Sequence, residues 1–140
     1  MRLSPSSCFK LIGSKQVGKS SLTGMRVLHQ LNSAIPVWPF DAVPETGALL
    51  IEIYTSIAAC AAGRPRNATK IRTFDELDVA LTHPAIASDP TDQQGAINDH
   101  ASDAIISAAW LRRVAGDEAL WSPAGLDAVR DTEGWTFGVP

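Results

Sequence analysis

The strongest strand pattern in the chain is the stretch Leu49-Leu-Ile-Glu-Ile-Tyr54. Its residues are apolar on both faces, as expected of a parallel strand that is covered by helices on each side. Glu52 is the exception, because a buried carboxylate costs several kcal/mol unless it is paired or bound to a metal. This stretch therefore predicts a sheet with helices on both faces and marks Glu52 as a candidate functional residue.

Segments on either side of this stretch alternate between strand and helix patterns. Short strands are predicted at Phe9 to Ile12 and at Ala34 to Phe40, and the second has prolines that suit a sheet edge. The residues from Glu133 to Pro140 are predicted as strand or coil. Helix patterns cover Ser20 to Leu31, Ile57 to Ala62, Thr73 to Leu81, Asp99 to Val114 and Pro123 to Val129. The alternation predicts one α/β domain, residues 1–140, with a partly parallel, mixed sheet flanked by helices.

Composition is that of an ordinary soluble domain: 140 residues, 45% hydrophobic and 19% charged, with a net charge of -3. Two cysteines are too few for a disulfide framework and have no zinc-ligand spacing. The longest apolar runs fall far short of the about 18 residues that a membrane span needs. No secretory signal pattern is present at the N-terminus, so we predict a cytoplasmic protein without a membrane partner.

Charge is distributed unevenly along the chain. Residues 1–70 contain eight Lys/Arg and three Asp/Glu, whereas residues 71–140 contain four and twelve. The basic residues Lys10, Lys15, Lys19 and Arg26, and the run from Arg64 to Arg72 that crosses the boundary between the halves, suit a nucleic-acid backbone, and they equally suit an ordinary solvated surface. The acidic half suits metal ions or, again, solvated helices.

A phosphate-binding loop is the first chemical signal. The segment from Gly13 to Ser20 fits the pattern G-x-x-x-x-G-K-[ST], in which Gly13 and Gly18 let backbone N–H groups wrap phosphates. Lys19 would contact the outer phosphates and Ser20 would hold magnesium. A base-reading motif such as Asn-Lys-x-Asp is missing, so an ATP- or GTP-binding protein is the alternative prediction rather than the first.

A set of acidic residues is the second signal. Asp99 and Asp103 are four residues apart in a predicted helix, so they project from one face. That helix is apolar nearly all round and is predicted to be buried, which favours a shared metal site with Glu52, with His100 as an auxiliary ligand or proton carrier. The alternative is that Asn98 or Asp99 caps the helix, Asp103 complements its dipole and Glu52 pairs with an arginine.

Four short motifs follow one another along the chain: Val37-Trp-Pro-Phe-Asp41, Ile51-Glu-Ile-Tyr54, Asp99-His-Ala-Ser-Asp-Ala104 and Glu133-Gly-Trp135. In this order they are the most specific parts of a resemblance to the predicted RNase H-like nuclease family, a domain family of unknown function. The resemblance extends from about Ser6 to the C-terminus. The resemblance implies phosphodiester hydrolysis with two Mg²⁺ or Mn²⁺ ions. It also implies that Glu52, Asp99 and Asp103 are the metal-binding and catalytic carboxylates.

The chain departs from the family in three places. Thr55 stands where the family has a proline, and Lys19 is not usual in the family's Val-Gly turn. No segment before Phe9 corresponds to the strand meander and the aspartate that open an RNase H-like fold. The resemblance therefore implies an incomplete domain with weak or no activity of its own, and a catalytically silent remnant is a further alternative.

Overall fold

The computed structural model describes residues 18–31 and 34–139, with side chains from residue 22 onward. The described helices are α1 Gly18–Leu31, α2 Thr55–Ala61, α3 Phe74–Leu81, α4 Asp99–Val114, α5 Glu118–Trp121 and α6 Leu126–Val129. Both α2 and α3 pack on α4, which is the central and longest helix. None of the described helices is long and apolar enough to cross a membrane.

The predicted sheet is not present in the described residues. They contain no strand, only three isolated bridges: Val37 with Leu50, Ile53 with Phe137, and Thr73 with Ala96. The prediction of an α/β fold with a mixed, RNase H-like sheet is therefore wrong. Residues 18–31 and 34–139 instead form helices joined by extended loops, and the predicted strand from Phe9 to Ile12 lies outside the described residues.

Prolines explain why the first bridge does not extend into a ladder. Leu50 donates its N–H to the Pro36 carbonyl and accepts from the Trp38 N–H, both at 2.9 Å. Pro36 and Pro39 have no N–H to donate, and the Val37 N–H is taken by the Asp41 carboxylate at 2.8 Å. The Asp41 N–H then donates to the Val37 carbonyl and closes a turn. The chain therefore turns away from Leu50 after this one bridged pair of residues.

The second bridge ends for a similar local reason. Phe137 donates its N–H to the Glu52 carbonyl at 2.9 Å, beside the bridge to Ile53. Gly138 then adopts a φ of +85°, and the Val139 N–H turns back to the Thr136 carbonyl. The stretch from Leu49 to Tyr54 is thus held between two neighbours through single bridges only, and the prediction that it forms a strand of a sheet is wrong.

The core contains a cluster of aromatic rings around Phe137. Phe137 is fully buried, and its ring centre lies 4.5 to 6.0 Å from those of Trp38, Trp110 and Trp121. Two of the indole groups have hydrogen-bond partners: the buried Trp38 donates to the Trp121 carbonyl, and the partly exposed Trp121 donates to the Ala115 carbonyl. This cluster joins the C-terminal loop to α4, α5 and the turn after Val37.

Helix ends follow the sequence more closely than the sheet does. Thr73 caps α3 by accepting from the Glu76 N–H at 3.2 Å, as the capping box predicts. The Glu76 carboxylate accepts from the Arg72 N–H at 2.8 Å, and this bond lowers the pKa of Glu76. In α4 the prediction of burial all round is wrong, since Ala104 and Ala108 are exposed.

Gly24 lies in the interior of α1, where glycine is the least favourable residue after proline. A Cβ added there meets no atom within 4 Å. We expect Gly24→Ala to stabilise α1 by about 0.5–1 kcal/mol and to raise the helical signal in circular dichroism. A loss of helical signal would show that Gly24 is needed for its small size.

Candidate functional site

Asp99 and Asp103 lie in the first two turns of α4, on one face of the helix. Asn98 is the N-cap residue, and its side chain accepts from the Ala101 N–H at 2.9 Å. Asp99 is therefore not needed as the cap. Both aspartate side chains are partly exposed, at 33% and 27%, so a bound ion or a substrate can reach them.

Each of these carboxylates contacts a cationic side chain from the loop before α3. Lys70 Nζ lies 2.5 Å from Asp103 Oδ2, and Arg72 Nη1 lies 3.6 Å from Asp99 Oδ1. The loop is fixed between these two residues by Ile71, which is buried and whose carbonyl accepts from the Ser102 hydroxyl at 3.1 Å. The anchored loop thus presents Lys70 and Arg72 to α4, while both side chains remain more than half exposed.

A third contact ties this face of α4 to α2. Thr55, the first residue of α2, directs its hydroxyl to Asp103 Oδ2 at 3.5 Å. Where the resembling family has a proline, this chain therefore has a hydroxyl donor to a candidate ligand. Only two residues separate Thr55 from Glu52 along the chain.

The predicted site residues are nevertheless not gathered into one metal centre. Within residues 22–31 and 34–139, no group of three or more His, Cys, Asp or Glu side chains is arranged to hold a metal ion. Asp99 and Asp103 form a pair, whereas Glu52 is exposed and lines a neighbouring cavity. His100 follows Asp99 in α4 and is exposed. The alternative from the sequence was pairing of Glu52 with an arginine, but the pairing seen is that of Arg72 with Asp99.

The phosphate-loop motif lies mostly outside the described residues. Helix α1 is described from Gly18, two residues before the predicted start at Ser20, and Lys19 and Ser20 are in its first turn. Gly13 and the rest of the loop are not among the described residues, nor are the side chains of Lys19 and Ser20. Nucleotide binding at this motif stays a prediction from the sequence.

A cavity of about 490 Å³ lies between α1 and the loops that carry the family-like motifs. Three of those motifs meet at its wall, which includes Trp38, Pro39 and Phe40, then Glu52, and finally Glu133, Gly134 and Trp135. Sequence reasoning did not single out Glu133 as a functional residue. Its place near Glu52 depends on the bridge between Ile53 and Phe137, and no local pattern reports that contact.

Comparison of the chain with protein-family models, with curated proteins and with solved structures finds no match. The RNase H-like resemblance therefore stays a prediction that rests on the motifs and on their order along the chain.

Proposed function

We propose that this protein is a metal-dependent phosphodiester hydrolase in which Asp99 and Asp103 bind Mg²⁺ or Mn²⁺. The observation that carries the proposal is the pair of partly exposed carboxylates one turn apart on α4, each already holding a positive group. Glu52, the third carboxylate implied by the family resemblance, lines the cavity beside α1 and is not part of this proposal. A cytoplasmic location is part of the same proposal.

The donor set fits these metals. Mg²⁺ is commonly bound through one or two carboxylates, several waters and the phosphates of the substrate, so two aspartates are enough protein ligands. Lys70 and Arg72 are the competitors for these oxygens. Exposed ion pairs of this kind stabilise a protein by about 0–1 kcal/mol. A divalent metal ion has twice the positive charge of the lysine or arginine side chain that it would replace. The free energy needed to displace Lys70 from Asp103 is therefore small.

The residues around the pair suit a phosphodiester substrate. A bound divalent ion supplies Lewis-acid stabilisation of the phosphate and a more acidic water. Lys70 and Arg72, when they leave the carboxylates, remain anchored through Ile71 and have cationic groups available for phosphate oxygens. Arg64 and Arg66 continue the basic character of this loop, and a nucleic-acid backbone is the proposed partner.

Manganese titration of three variants tests the proposal. Asp103→Asn removes one charged ligand and should weaken Mn²⁺ binding about tenfold or more. Lys70→Met removes the competing ammonium group and should strengthen it roughly two- to fivefold, the equivalent of an exposed ion pair. Arg130→Met is the matched control, because it breaks the exposed pair with Asp127 elsewhere in the chain and should leave the affinity unchanged.

Hydrolysis of bis(p-nitrophenyl) phosphate in Mn²⁺ provides the accompanying activity readout, and Asp103→Asn should reduce it. If Mn²⁺ does not bind, or if Asp103→Asn binds it as the parent protein does, the aspartates are not its ligands. In that case a lower melting temperature of Lys70→Met would assign the ion pairs a structural role.

A further inference from the structure

The cavity beside α1 combines apolar walls with negative charge. Val27 and Leu28 of α1 form part of one wall, and Phe40 and Trp135 supply aromatic rings. Two carboxylate residues, Glu52 and Glu133, also line it, while none of the described lining residues is Lys, Arg or His. Its volume of about 490 Å³ is in the usual range for small-molecule sites.

Local contacts position the two rings. Gly134 is buried at a φ of +68°, and an added Cβ would lie 3.0 Å from Phe40 Cζ, so the Phe40 ring rests directly against the backbone there. The next residue, Trp135, donates its indole N–H to the Val139 carbonyl at 2.9 Å, which fixes that ring. The rings of Phe40 and Trp135 are therefore held at the same wall, beside Glu133.

Charge complementarity identifies the class of ligand. Aromatic faces attract cations, and nearby carboxylates add to this attraction without a basic side chain to oppose it. Apolar walls in turn exclude small hydrated ions and favour a ligand with a hydrocarbon body. We propose that this cavity binds a small hydrophobic organic cation, such as a quaternary ammonium compound with an aromatic or alkyl group. Asp99 and Asp103 have no part in this site.

Three ligands of similar size and shape test the proposal through the fluorescence of the tryptophans: benzyltrimethylammonium, its uncharged isostere neopentylbenzene, and the anion phenylmethanesulfonate. The titrations are done in EDTA, so that metal binding at Asp99 and Asp103 makes no contribution. We expect the cation to bind about tenfold more tightly than the uncharged isostere and the anion to bind most weakly. Equal or tighter binding of the isostere, or binding by none of the three, would overturn the proposal.

A double variant separates charge from shape. Glu52 and Glu133 are both exposed, so Glu52→Gln with Glu133→Gln should keep the fold and the cavity volume, and circular dichroism checks this. The cation should then lose most of its advantage, while the affinity of the isostere stays unchanged. Undiminished cation binding by the double variant would show that the carboxylates do not select the ligand. Because EDTA is present throughout, these titrations do not test metal binding. If the cation does not bind, the hydrolase proposal is still tested separately by the manganese titration.

Discussion

Phe137→Ala is expected to lower the free energy of unfolding by about 3–5 kcal/mol, as large-to-small changes of buried aromatic residues do. The Phe137 side chain is fully buried and contacts the rings of Trp38, Trp110 and Trp121. Its removal leaves a cavity at the junction of four segments. The free energy of unfolding of a whole domain is commonly only about 5–15 kcal/mol, so this substitution is expected to remove a large part of it. Chemical denaturation followed by tryptophan fluorescence measures the loss.

Phe40→Ala is the matched control, because the same side chain is removed where it is 55% exposed. A loss below about 1 kcal/mol is expected there. Phe137→Leu keeps much of the volume and should lose about 1–2 kcal/mol, so a measurable value exists even if the alanine variant does not fold. Similar losses for Phe137→Ala and Phe40→Ala would mean that the aromatic cluster does not organise the core.

Gly138→Ala is expected to cost about 2–5 kcal/mol. The residue has a φ of +85°, which costs an L-residue about 1–2 kcal/mol. A Cβ at this position would also overlap with the Trp110 ring, and overpacking of a core costs about a further 1–3 kcal/mol. The melting temperature and the near-ultraviolet circular dichroism of the tryptophans should both change.

Gly47→Ala isolates the conformational part of this effect. Gly47 has a φ of +104°, but an added Cβ meets no atom within 4 Å. Only the backbone cost of about 1–2 kcal/mol is therefore expected. The difference between the two variants measures the contact with Trp110, and equal losses would show that Trp110 moves away without cost.

Local patterns predicted those parts of the molecule whose hydrogen bonds are local. The helix from Asp99 to Val114 has the predicted bounds, and the Thr73 cap of α3 is confirmed. The face shared by Asp99 and Asp103 follows from helix periodicity alone. α5 was not predicted, because four residues carry too little periodicity for a helix to be recognised.

The stretch from Leu49 to Tyr54 shows where such reasoning failed. Its apolar pattern predicts burial on two sides, but its aliphatic side chains are only partly buried and Tyr54 is exposed, with single bridges to Val37 and Phe137 in place of a sheet. Pattern alone does not distinguish these outcomes. Pro36 and Pro39 lack the N–H groups that a ladder needs; the sequence pattern of such prolines is compatible with an edge strand, whereas in the structure they stop the pairing after one bridge.

The sequence by itself determined α3 and α4, the Thr73 cap of α3 and the spacing of the two aspartates, since these depend on contacts within about four residues. Only the tertiary structure decided which groups meet across larger separations. Lys70 reaches Asp103 across 33 positions, and Glu133 joins Glu52 at one cavity. Those pairs depend on how α2 and α3 pack on α4 and on how Phe137 fills the core, which are properties of shape and burial rather than of local pattern.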